Sequence, residues 1–297
     1  SCSEIVYGSN GKVNGVIAGE FGLSKEGKIG SNYEPGMELL GKYTLFSEGV
    51  RGSLSKKLIK KFNLDNQCEP QKYGIGIKEV WDVDPTKHNA GEVMHSMGWP
   101  LGKNAGGGSF LYHAENSQIY IGFVTHLNYK NPYVSPYMEF QRFKHHPRIK
   151  NLLTGGKRVA YGARAISEGG YQSIPKLTFP GGALLGCAAG FVNVPRIKGN
   201  HNAMFSGIFA AEAVVNAISE SREQDELVEY EHKVRNGPIE KDLKTVKNVK
   251  PLWSNYGMFA SLLFGGIDMW ISHLCGFNLF GTLKHRINDA NATGKIA

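Results

Sequence analysis

The chain has 297 residues, enough for one large domain or two ordinary ones, and its composition is that of a folded globular protein, which excludes wholesale disorder. The formal net charge of +8 suits either solubility alone or an anionic partner, such as nucleic acid or a membrane face. Lysine and arginine are spread through the chain and form no basic arm, so we predict no nucleic-acid partner.

The cysteines lie far apart in the sequence, at Cys2, Cys68, Cys187 and Cys275. No C-x-x-C pair is present, so a disulfide framework, a zinc site and an iron–sulfur cluster are all unsupported, and we predict no metal site. Isolated cysteines suit a reducing compartment. The sequence does not begin with methionine and shows no signal or transit peptide, so we expect a mature or truncated product.

The first stretch of the chain predicts β-hairpins. Residues 5–7 and 13–17 are strand-like and flank Asn10-Gly11, a strong hairpin turn signal, and a second pair of runs flanks residues 25–28. A short apolar strand follows at residues 43–46, and a basic helix is predicted from about Leu54 to Phe62. Hairpins that lead into a strand–glycine–helix crossover indicate a mixed α/β or α+β arrangement.

The middle of the chain, residues 71–149, alternates short strands with glycine and proline. This pattern predicts an antiparallel sheet that forms a substrate domain. A buried strand is predicted at residues 181–186, followed by a loop and a helix from about His201 to Ser219. Residues 223–247 are charged and are predicted to be helical at the surface.

The tail, residues 252–280, is dense in large apolar side chains, and Asp268 is its only formal charge. It is long enough to consider a transmembrane helix. Small or polar residues interrupt it near the middle: Gly265, Gly266, Asp268, Ser272 and His273. A helix lying in the membrane interface, or a broken hydrophobic surface patch, therefore fits better. A buried pair of core helices is the alternative.

Two strand–loop–helix joints carry the chemistry. At the first, a hydrophobic strand ends in Glu48-Gly49, and a helix begins shortly after Arg51. Glycine lets the backbone approach a ligand, and a helix N-terminus offers N–H groups and a positive dipole end to an anion. Many joints look like this one, so the signal is weak when taken alone.

The second joint is more specific. Small residues line the loop that begins at Gly186, and the helix that follows Gly199 has a predicted small-residue face of Ala203, Gly207, Ala210 and Ala211. Such a face lets a helix pack closely on a sheet or a flat ring. N–H groups at its start can hold a phosphate or a polarised ring carbonyl.

Together the two joints resemble the later flavin-binding motifs of glutathione-reductase-type flavoproteins, in the branch with aromatic hydroxylases and geranylgeranyl reductases. Glu48-Gly49 matches the small–acid–glycine motif. Cys187 stands where most members of the branch place an aspartate. The electron transfer flavoprotein–ubiquinone oxidoreductases also carry Gly-Cys at this position, so the departure favours that family.

Further strings resemble the same family across nearly the whole chain: residues 98–101, 107–113, 139–147, 161–164, 168–182 and 282–285. The resemblance implies an α/β plus α+β fold. A glutathione-reductase-type FAD domain, incomplete because it lacks the N-terminal G-x-G-x-x-G unit, would carry an inserted antiparallel-sheet quinone-binding domain. The implied division is 1–70 (FAD domain), 71–175 (ubiquinone-binding sheet), 176–222 (FAD domain) and 223–297 (helical tail with membrane contact).

The resemblance also implies site residues. FAD would be bound by residues of both joints: Glu48, Gly49, Arg51, Gly186, Cys187, Ala188, Gly199, Asn200 and His201. Ubiquinone would contact the backbone of Gly107 and Gly108, with Phe110 and Tyr112 nearby in sequence. From the residues alone, the glycine pair also fits an ordinary turn or bulge. Because the flavin carries the redox chemistry, we assign no catalytic acid or base.

The implied function is electron transfer from reduced electron transfer flavoprotein to ubiquinone through FAD, at the matrix side of the mitochondrial inner membrane. The apolar tail would provide monotopic contact with lipid. The G-x-G-x-x-G unit and the cysteines of the family's iron–sulfur domain are not in this sequence, so we expect a companion chain to supply them. The main alternative is a non-catalytic structural subunit of an inner-membrane respiratory complex. A geranylgeranyl reductase is a third reading, which Cys187 and the Gly107-Gly108 region argue against.

Overall fold

The computed structural model describes residues 2–102 and 105–294. The strands in chain order are β1 (Cys2–Tyr7), β2 (Val13–Ala18), β3 (Phe21–Leu23), β4 (Ile29–Glu34), β5 (Met37–Leu40), β6 (Thr44–Phe46), β7 (Tyr73–Asp82), β8 (Val93–Met97), β9 (Gly107–His113), β10 (Gln118–His126), β11 (Lys157–Ser167), β12 (Thr178–Phe179) and β13 (Gly182–Leu184). The helices are α1 (Ser53–Lys61), α2 (Pro136–Lys144), α3 (Pro147–Leu153), α4 (Asn200–Ser219), α5 (Val228–Asn236), α6 (Pro238–Thr245), α7 (Val249–Tyr256), α8 (Met258–Ala260) and α9 (Gly266–Cys275).

The chain divides into two compact units. Unit one combines Ser1–Glu69 with Gly170–Lys244, and unit two combines Pro70–Gly169 with Thr245–Ala297. Unit two therefore contains the predicted substrate sheet and most of the predicted helical tail, residues 223–297. The first part of that helical tail, up to Lys244, belongs to unit one, which holds both strand–loop–helix joints.

Unit one contains both predicted hairpins. β1 pairs antiparallel with β2, with Tyr7 opposite Val13, and β3 pairs with β4 across the predicted second turn. The short predicted strands before the two joints form β6 and β13, which pair in parallel with Phe46 opposite Leu184. Strand β13 lies between β12, with which it pairs antiparallel, and β6, with which it pairs in parallel.

Helix α4 packs on the core of unit one through a stripe of small and polar residues: Asn202, Ser206, Ala210, Ala213 and Ala217. Of the predicted small-residue face, Ala210 belongs to this stripe, Ala203 and Gly207 are half-buried beside it, and Ala211 is exposed. Both sets follow the three- and four-residue spacing of one helix face, but the buried stripe begins one residue earlier, at Asn202.

Unit two is built on the predicted antiparallel sheet, which β11 extends past residue 149, in the order β11-β7-β10-β9-β8. Alternate β10 residues, including Ile121 and Phe123, are buried on one face in the same core cluster as Phe140 and Phe143 of α2. The opposite face is rich in glycine: Gly74, Gly76, Gly108 and Gly122.

Within the tail, residues 258–275 form a continuous helical stretch, which Gly257, with φ of +86°, separates from α7. A π-helical segment, Ser261–Gly265, joins α8 to α9 without a break, so the predicted interruption was wrong. Asp268 is buried and accepts hydrogen bonds from Nδ2 of Asn248 (3.0 Å) and Nδ2 of Asn278 (2.8 Å), which explains how a charge is tolerated here. Met258–Cys275 is long and apolar enough to cross a membrane by length and composition, and only 17% of it is buried. That exposure contradicts the buried-core alternative.

Candidate functional site

The structure brings the two strand–loop–helix joints together. Because β6 and β13 are parallel neighbours, the loops after Phe46 and Leu184 leave the same edge of the sheet. The backbone N–H of Leu185 donates to the carbonyl of Phe46 (2.9 Å), which holds the loop starts side by side. Ligands of open α/β sheets bind outside the carboxyl ends of such strands.

In the first loop, the Glu48 carboxylate caps helix α1. It accepts hydrogen bonds from the backbone N–H of Leu54 (3.2 Å) and from N–H and Oγ of Ser55 (2.6 and 2.7 Å). Gly52 makes room for it, since a side chain there would lie 2.3 Å from Cβ of Glu48. Glu48 thus shapes the loop and α1, so a ligand would meet the loop and not a free carboxylate.

The neighbours of Glu48 differ in what they offer. Gly49 has φ of +84°, which favours glycine, and nothing lies within 4 Å of the position that a side chain would take. Arg51 is exposed in the turn before α1. The backbone at Gly49 is therefore open to a ligand's close approach.

The second loop begins with a 3₁₀ turn, Gly186–Ala188. Gly186 has φ of +56°, and its N–H donates to Oγ of Ser206 on α4 (3.1 Å). Cys187 and Ala188 are both half-buried. Burial raises the pKa of the Cys187 thiol, so the thiol is neutral at pH 7 and adds no negative charge to this loop.

The N-terminus of α4 lies at the end of this loop. Gly199, which precedes the helix, provides no side-chain cap within the described residues. Nε2 of His201 lies 3.0 Å from Oδ2 of Asp242, and Nδ2 of Asn202 donates to the same oxygen (3.0 Å). The side chain of His201, a predicted FAD-binding residue, is therefore in hydrogen-bonding contact with Asp242. What the helix offers a ligand is its first backbone N–H groups, including that of Asn200.

Asp242 was not predicted from the sequence. Burial raises the pKa of this carboxyl, but hydrogen bonds from Asn193, Asn202 and His201 outweigh burial and hold its pKa below the ordinary value. The carboxylate is thus charged at neutral pH. No local motif marks it, because it lies on the charged helix α6, 41 residues after His201.

These residues fit FAD. Oδ1 of Asn202, in the first turn of the 20-residue α4, is buried and has no hydrogen-bond partner among residues 2–102 and 105–294. A buried carbonyl oxygen without a donor is rare and points to a missing partner. Flavin N–H and ribityl hydroxyl groups are donors of the right kind, and the helix N-terminus suits a pyrophosphate.

The predicted ubiquinone glycines lie inside strand β9, so the turn or bulge alternative was wrong. A side chain on Gly107 would lie 2.1 Å from the carbonyl oxygen of Val124 on β10. A side chain on Gly108 would lie 2.4 Å from the carbonyl oxygen of Ser96 on β8. Both glycines are thus required by the close approach of the flanking strands.

Aromatic rings follow these glycines on the same strand. The rings of Phe110 and Tyr112 stack with centroids 5.1 Å apart. Phe110 lies across Gly122 of β10, since a side chain there would be 2.2 Å from the Phe110 ring. A stacked aromatic pair beside a glycine offers a surface on which a planar headgroup could pack.

A buried acid–base cluster lies at the end of β10, next to Gly106. Nε2 of His126 is 3.6 Å from Oε1 of Glu168, whose Oε2 accepts a hydrogen bond from Nζ of Lys250 (2.5 Å). Burial lowers the pKa of His126 to about 4. Burial raises the pKa of Glu168, but His126 and Lys250 outweigh it and lower that pKa below the ordinary value. No local pattern marks this cluster, because it joins three segments that are distant in the sequence.

Comparison with known proteins identifies the sheet. Residues 73–166 match the family model described as ETF-QO, ubiquinone-binding. The mitochondrial electron transfer flavoprotein-ubiquinone oxidoreductase of Sus scrofa is 46% identical over 299 residues, which cover 98% of this chain and 48% of that protein. The Pseudomonas aeruginosa protein of that name is 47% identical over 283 residues, covering 95% and 50%. The chain therefore spans about half the length of the curated relatives it matches.

Solved structures share the fold. A geranylgeranyl bacteriochlorophyll reductase-like protein from Thermoplasma acidophilum has a TM-score of 0.59 at 16% identity, covering 93% of this chain and 68% of that one. A flavin-dependent brominase has a TM-score of 0.55 at 14% identity, covering 98% and 67%. At these identities the likeness concerns the fold alone, which is the mixed sheet-and-helix fold predicted. The predicted resemblance is confirmed: this chain is similar over nearly its whole length to about half of the electron transfer flavoprotein-ubiquinone oxidoreductases, and its central sheet matches their ubiquinone-binding domain.

Proposed function

We propose that this chain takes part in electron transfer from reduced electron transfer flavoprotein to ubiquinone, with FAD as the cofactor. The observation that carries the proposal is the ubiquinone-binding family match over residues 73–166. The names of the similar proteins state both the flavoprotein donor and the quinone acceptor. The fold shared with flavin-dependent enzymes supports the cofactor.

FAD would be held by the two loops of unit one. When bound, the flavin supplies the redox chemistry, and the protein positions it. The N–H groups at Asn200 and His201 would bind an anionic or polarised group, and Gly49 and Gly186 would let backbone approach the cofactor. The neutral thiol of Cys187 would lie beside the flavin without opposing the charge it gains on reduction.

Ubiquinone would lie against the Gly107-Gly108 strand, and the tail would contact the membrane. The helix that starts at Met258 begins beside the end of β8. A side chain on Gly98, the residue after β8, would lie 3.5 Å from Sδ of Met258. Large apolar side chains on that helix are exposed, among them Phe259 (81%) and Trp270 (66%). We place this contact on the matrix side of the mitochondrial inner membrane, in line with the mitochondrial relatives.

The relatives are about twice as long as the chain, so other parts complete the electron path. A G-x-G-x-x-G unit would complete the FAD site, and an iron–sulfur domain would carry electrons toward it. A companion chain, or further sequence of the same protein, would supply both.

The test is FAD binding by the protein purified in mild detergent with whatever chains accompany it. We expect flavin absorbance near ~450 nm. Ala188→Glu places a negative charge in the second loop, so it should weaken FAD binding at least tenfold, because like charges repel the cofactor's phosphates. Ala211→Glu is the matched control, since Ala211 is exposed farther along α4, and it should change the affinity less than twofold.

Absence of flavin absorbance and of FAD binding in the wild-type preparation would overturn the proposal. The structural-subunit alternative would then account better for the chain. Equal loss of FAD affinity in both variants would show that the loops of unit one do not form the site.

A further inference from the structure

The acid–base cluster of unit two lies directly beside the proposed ubiquinone strand. The backbone N–H of His126 donates to the carbonyl of Gly106 (2.9 Å), the residue before β9. The position that a side chain on Gly106 would take lies 2.4 Å from Nδ1 of His126 and 2.6 Å from Nε1 of Trp253. The two rings meet edge to face with centroids 5.1 Å apart. Glycine at 106 thus lets the backbone lie directly against Nδ1, which is buried.

Nδ1 of His126 has no hydrogen-bond partner within residues 2–102 and 105–294, although the side chain is buried. Leaving a buried polar atom unpaired destabilises the folded protein, because the atom loses its hydrogen bonds to water. A ring held only for packing would be replaced at little cost by an apolar side chain. The unpaired nitrogen therefore indicates a partner that binds from outside this chain.

The charged groups around His126 come from three segments. Glu168, just after β11, faces Nε2, and its side chain occupies the space above Gly74. Lys250 on α7 pairs with Glu168, and both side chains are almost completely buried. Behind them a second buried pair, Lys72 with Asp289 (2.8 Å), is linked by the N–H of Glu168, which donates to the carbonyl of Lys72 (2.6 Å).

A further titratable group beside the cluster is His285, whose Nε2 lies 2.8 Å from the carbonyl oxygen of Gly169. While His126 is neutral, the charges of these two ion pairs cancel, because Glu168 is paired with Lys250 and Asp289 with Lys72. Because Nε2 faces the Glu168 carboxylate, the neutral ring carries its proton on Nε2, and an added proton would sit on Nδ1, pointing toward Gly106. The cluster is thus arranged to accept one positive charge at this ring.

We propose that Nδ1 of His126 hydrogen-bonds an oxygen of the ubiquinone ring at the Gly107-Gly108 strand and delivers one of the two protons that its reduction requires. The inference rests on the proposed function and names a residue for its quinone site. His126 lies within the segment that matches the ubiquinone-binding model, at the strand position next to the glycines.

The proton step balances as follows. Ubiquinone gains two electrons from a reduced flavin and two protons, giving ubiquinol. As negative charge builds on the ring oxygen, His126 takes a proton from solvent and is stabilised by Glu168. Its Nδ1–H bond then breaks, an O–H bond forms on the quinone, and the imidazole returns to its neutral form. The second proton comes from solvent.

The test measures binding of a short-chain ubiquinol to the full chain in detergent, with ¹³C at the two hydroxyl-bearing ring carbons followed by infrared spectroscopy. In the wild type, one ¹³C–O band should be shifted from its position in free ubiquinol, because that hydroxyl donates a hydrogen bond to Nδ1. His126→Phe removes the acceptor, so it should lose that shift and bind ubiquinol about tenfold more weakly, as expected for one lost hydrogen bond. His145→Phe is the control, because His145 is exposed at the end of α2, and it should keep both properties.

The outcomes separate the two proposals. If the wild type binds ubiquinol and His126→Phe matches it in affinity and in the ¹³C–O band, the role of His126 is overturned and the proposed function stands. If the wild type binds neither ubiquinone nor ubiquinol, the quinone site itself fails and the role of His126 fails with it.

A second measurement keeps the inference testable if His126→Phe does not fold. In wild-type protein with ¹⁵N-labelled histidine, ubiquinol should move the Nδ1 resonance of a buried imidazole, because that nitrogen gains a hydrogen-bond donor. Unchanged histidine spectra on saturation with ubiquinol would overturn the assignment.

Discussion

The two glycine-rich regions of the molecule use glycine in opposite ways. In unit one, Gly49 has a positive φ and open space where a side chain would lie. In unit two, Gly106 and Gly108 have neighbours within 2.4 Å of that position. The first region keeps backbone open at the edge of a parallel strand pair, and the second lets protein groups approach one another closely.

The ion pairs of the two units also differ in exposure to solvent. In unit one, Arg196 pairs with Asp242 while its own side chain is 68% exposed. In unit two, Lys250 and Glu168 form an ion pair with side chains only 4% and 5% exposed. A glycine motif alone therefore does not distinguish an open ligand loop from a packed strand. The surrounding burial and pairing do.

The largest expected effect breaks the buried ion pair. Lys250→Met would leave the Glu168 carboxylate buried without its ammonium partner, and should lower the free energy of unfolding by about 4 kcal/mol. Arg196→Met in unit one should cost about 0.5 kcal/mol or less, because that arginine is exposed. Urea denaturation of both variants measures the difference.

The double variant Glu168→Gln/Lys250→Met removes the charge on both sides and should recover most of the stability lost by Lys250→Met alone. Equal losses for Lys250→Met and Arg196→Met would contradict the contrast between a buried and an exposed pair.

The next effect is a pH dependence of stability. The pKa of His126 in the folded protein is about 4, below the value of about 6.5 expected in the unfolded chain. Above pH 6.5 the ring is neutral in both states, and its contribution to stability is fully present. As the pH falls toward 4, only the unfolded chain binds the proton, so the free energy of unfolding should fall by about 3 kcal/mol.

Denaturation midpoints between pH 7 and pH 4 measure this slope. His126→Gln should flatten the profile over that window, whereas His95→Gln, on the exposed strand β8, should keep the wild-type slope. An unchanged slope in His126→Gln would place the titrating group elsewhere.

Local signals predicted much of the fold. The Asn10-Gly11 turn, the strand at residues 43–46 and the start of α4 near His201 all follow from short-range patterns, and the structure has them. The pairing of β6 with β13, which brings the two joints together, requires a contact across about 140 residues that no local pattern specifies.

The polar partners could not be predicted for the same reason. Lys250 meets Glu168 across 82 residues, and Asp242 meets His201 across 41. Asp242 lies on α6, whose charge pattern looks like that of an ordinary solvent-exposed helix, and Lys250 is the single charged residue of α7. Asp268 led to a wrong prediction, because a single acidic residue in an apolar segment suggests that the helix is interrupted. The amide groups of Asn248 and Asn278, which donate hydrogen bonds to it, could not be predicted from the sequence.

The smallest predicted effect tests the two glycine roles directly. Gly108→Ala would place Cβ 2.4 Å from the Ser96 carbonyl oxygen, so strands β8 and β9 must separate, and the free energy of unfolding should fall by about 3 kcal/mol. Gly49→Ala meets no neighbour and suffers only the cost of φ at +84°, about 1 kcal/mol. The expected difference is therefore about 2 kcal/mol, measured by urea denaturation of both alanine variants under one condition. If Gly49→Ala proved the more damaging, the open loop of unit one would have packing partners of its own, and its suitability for a cofactor would be lost.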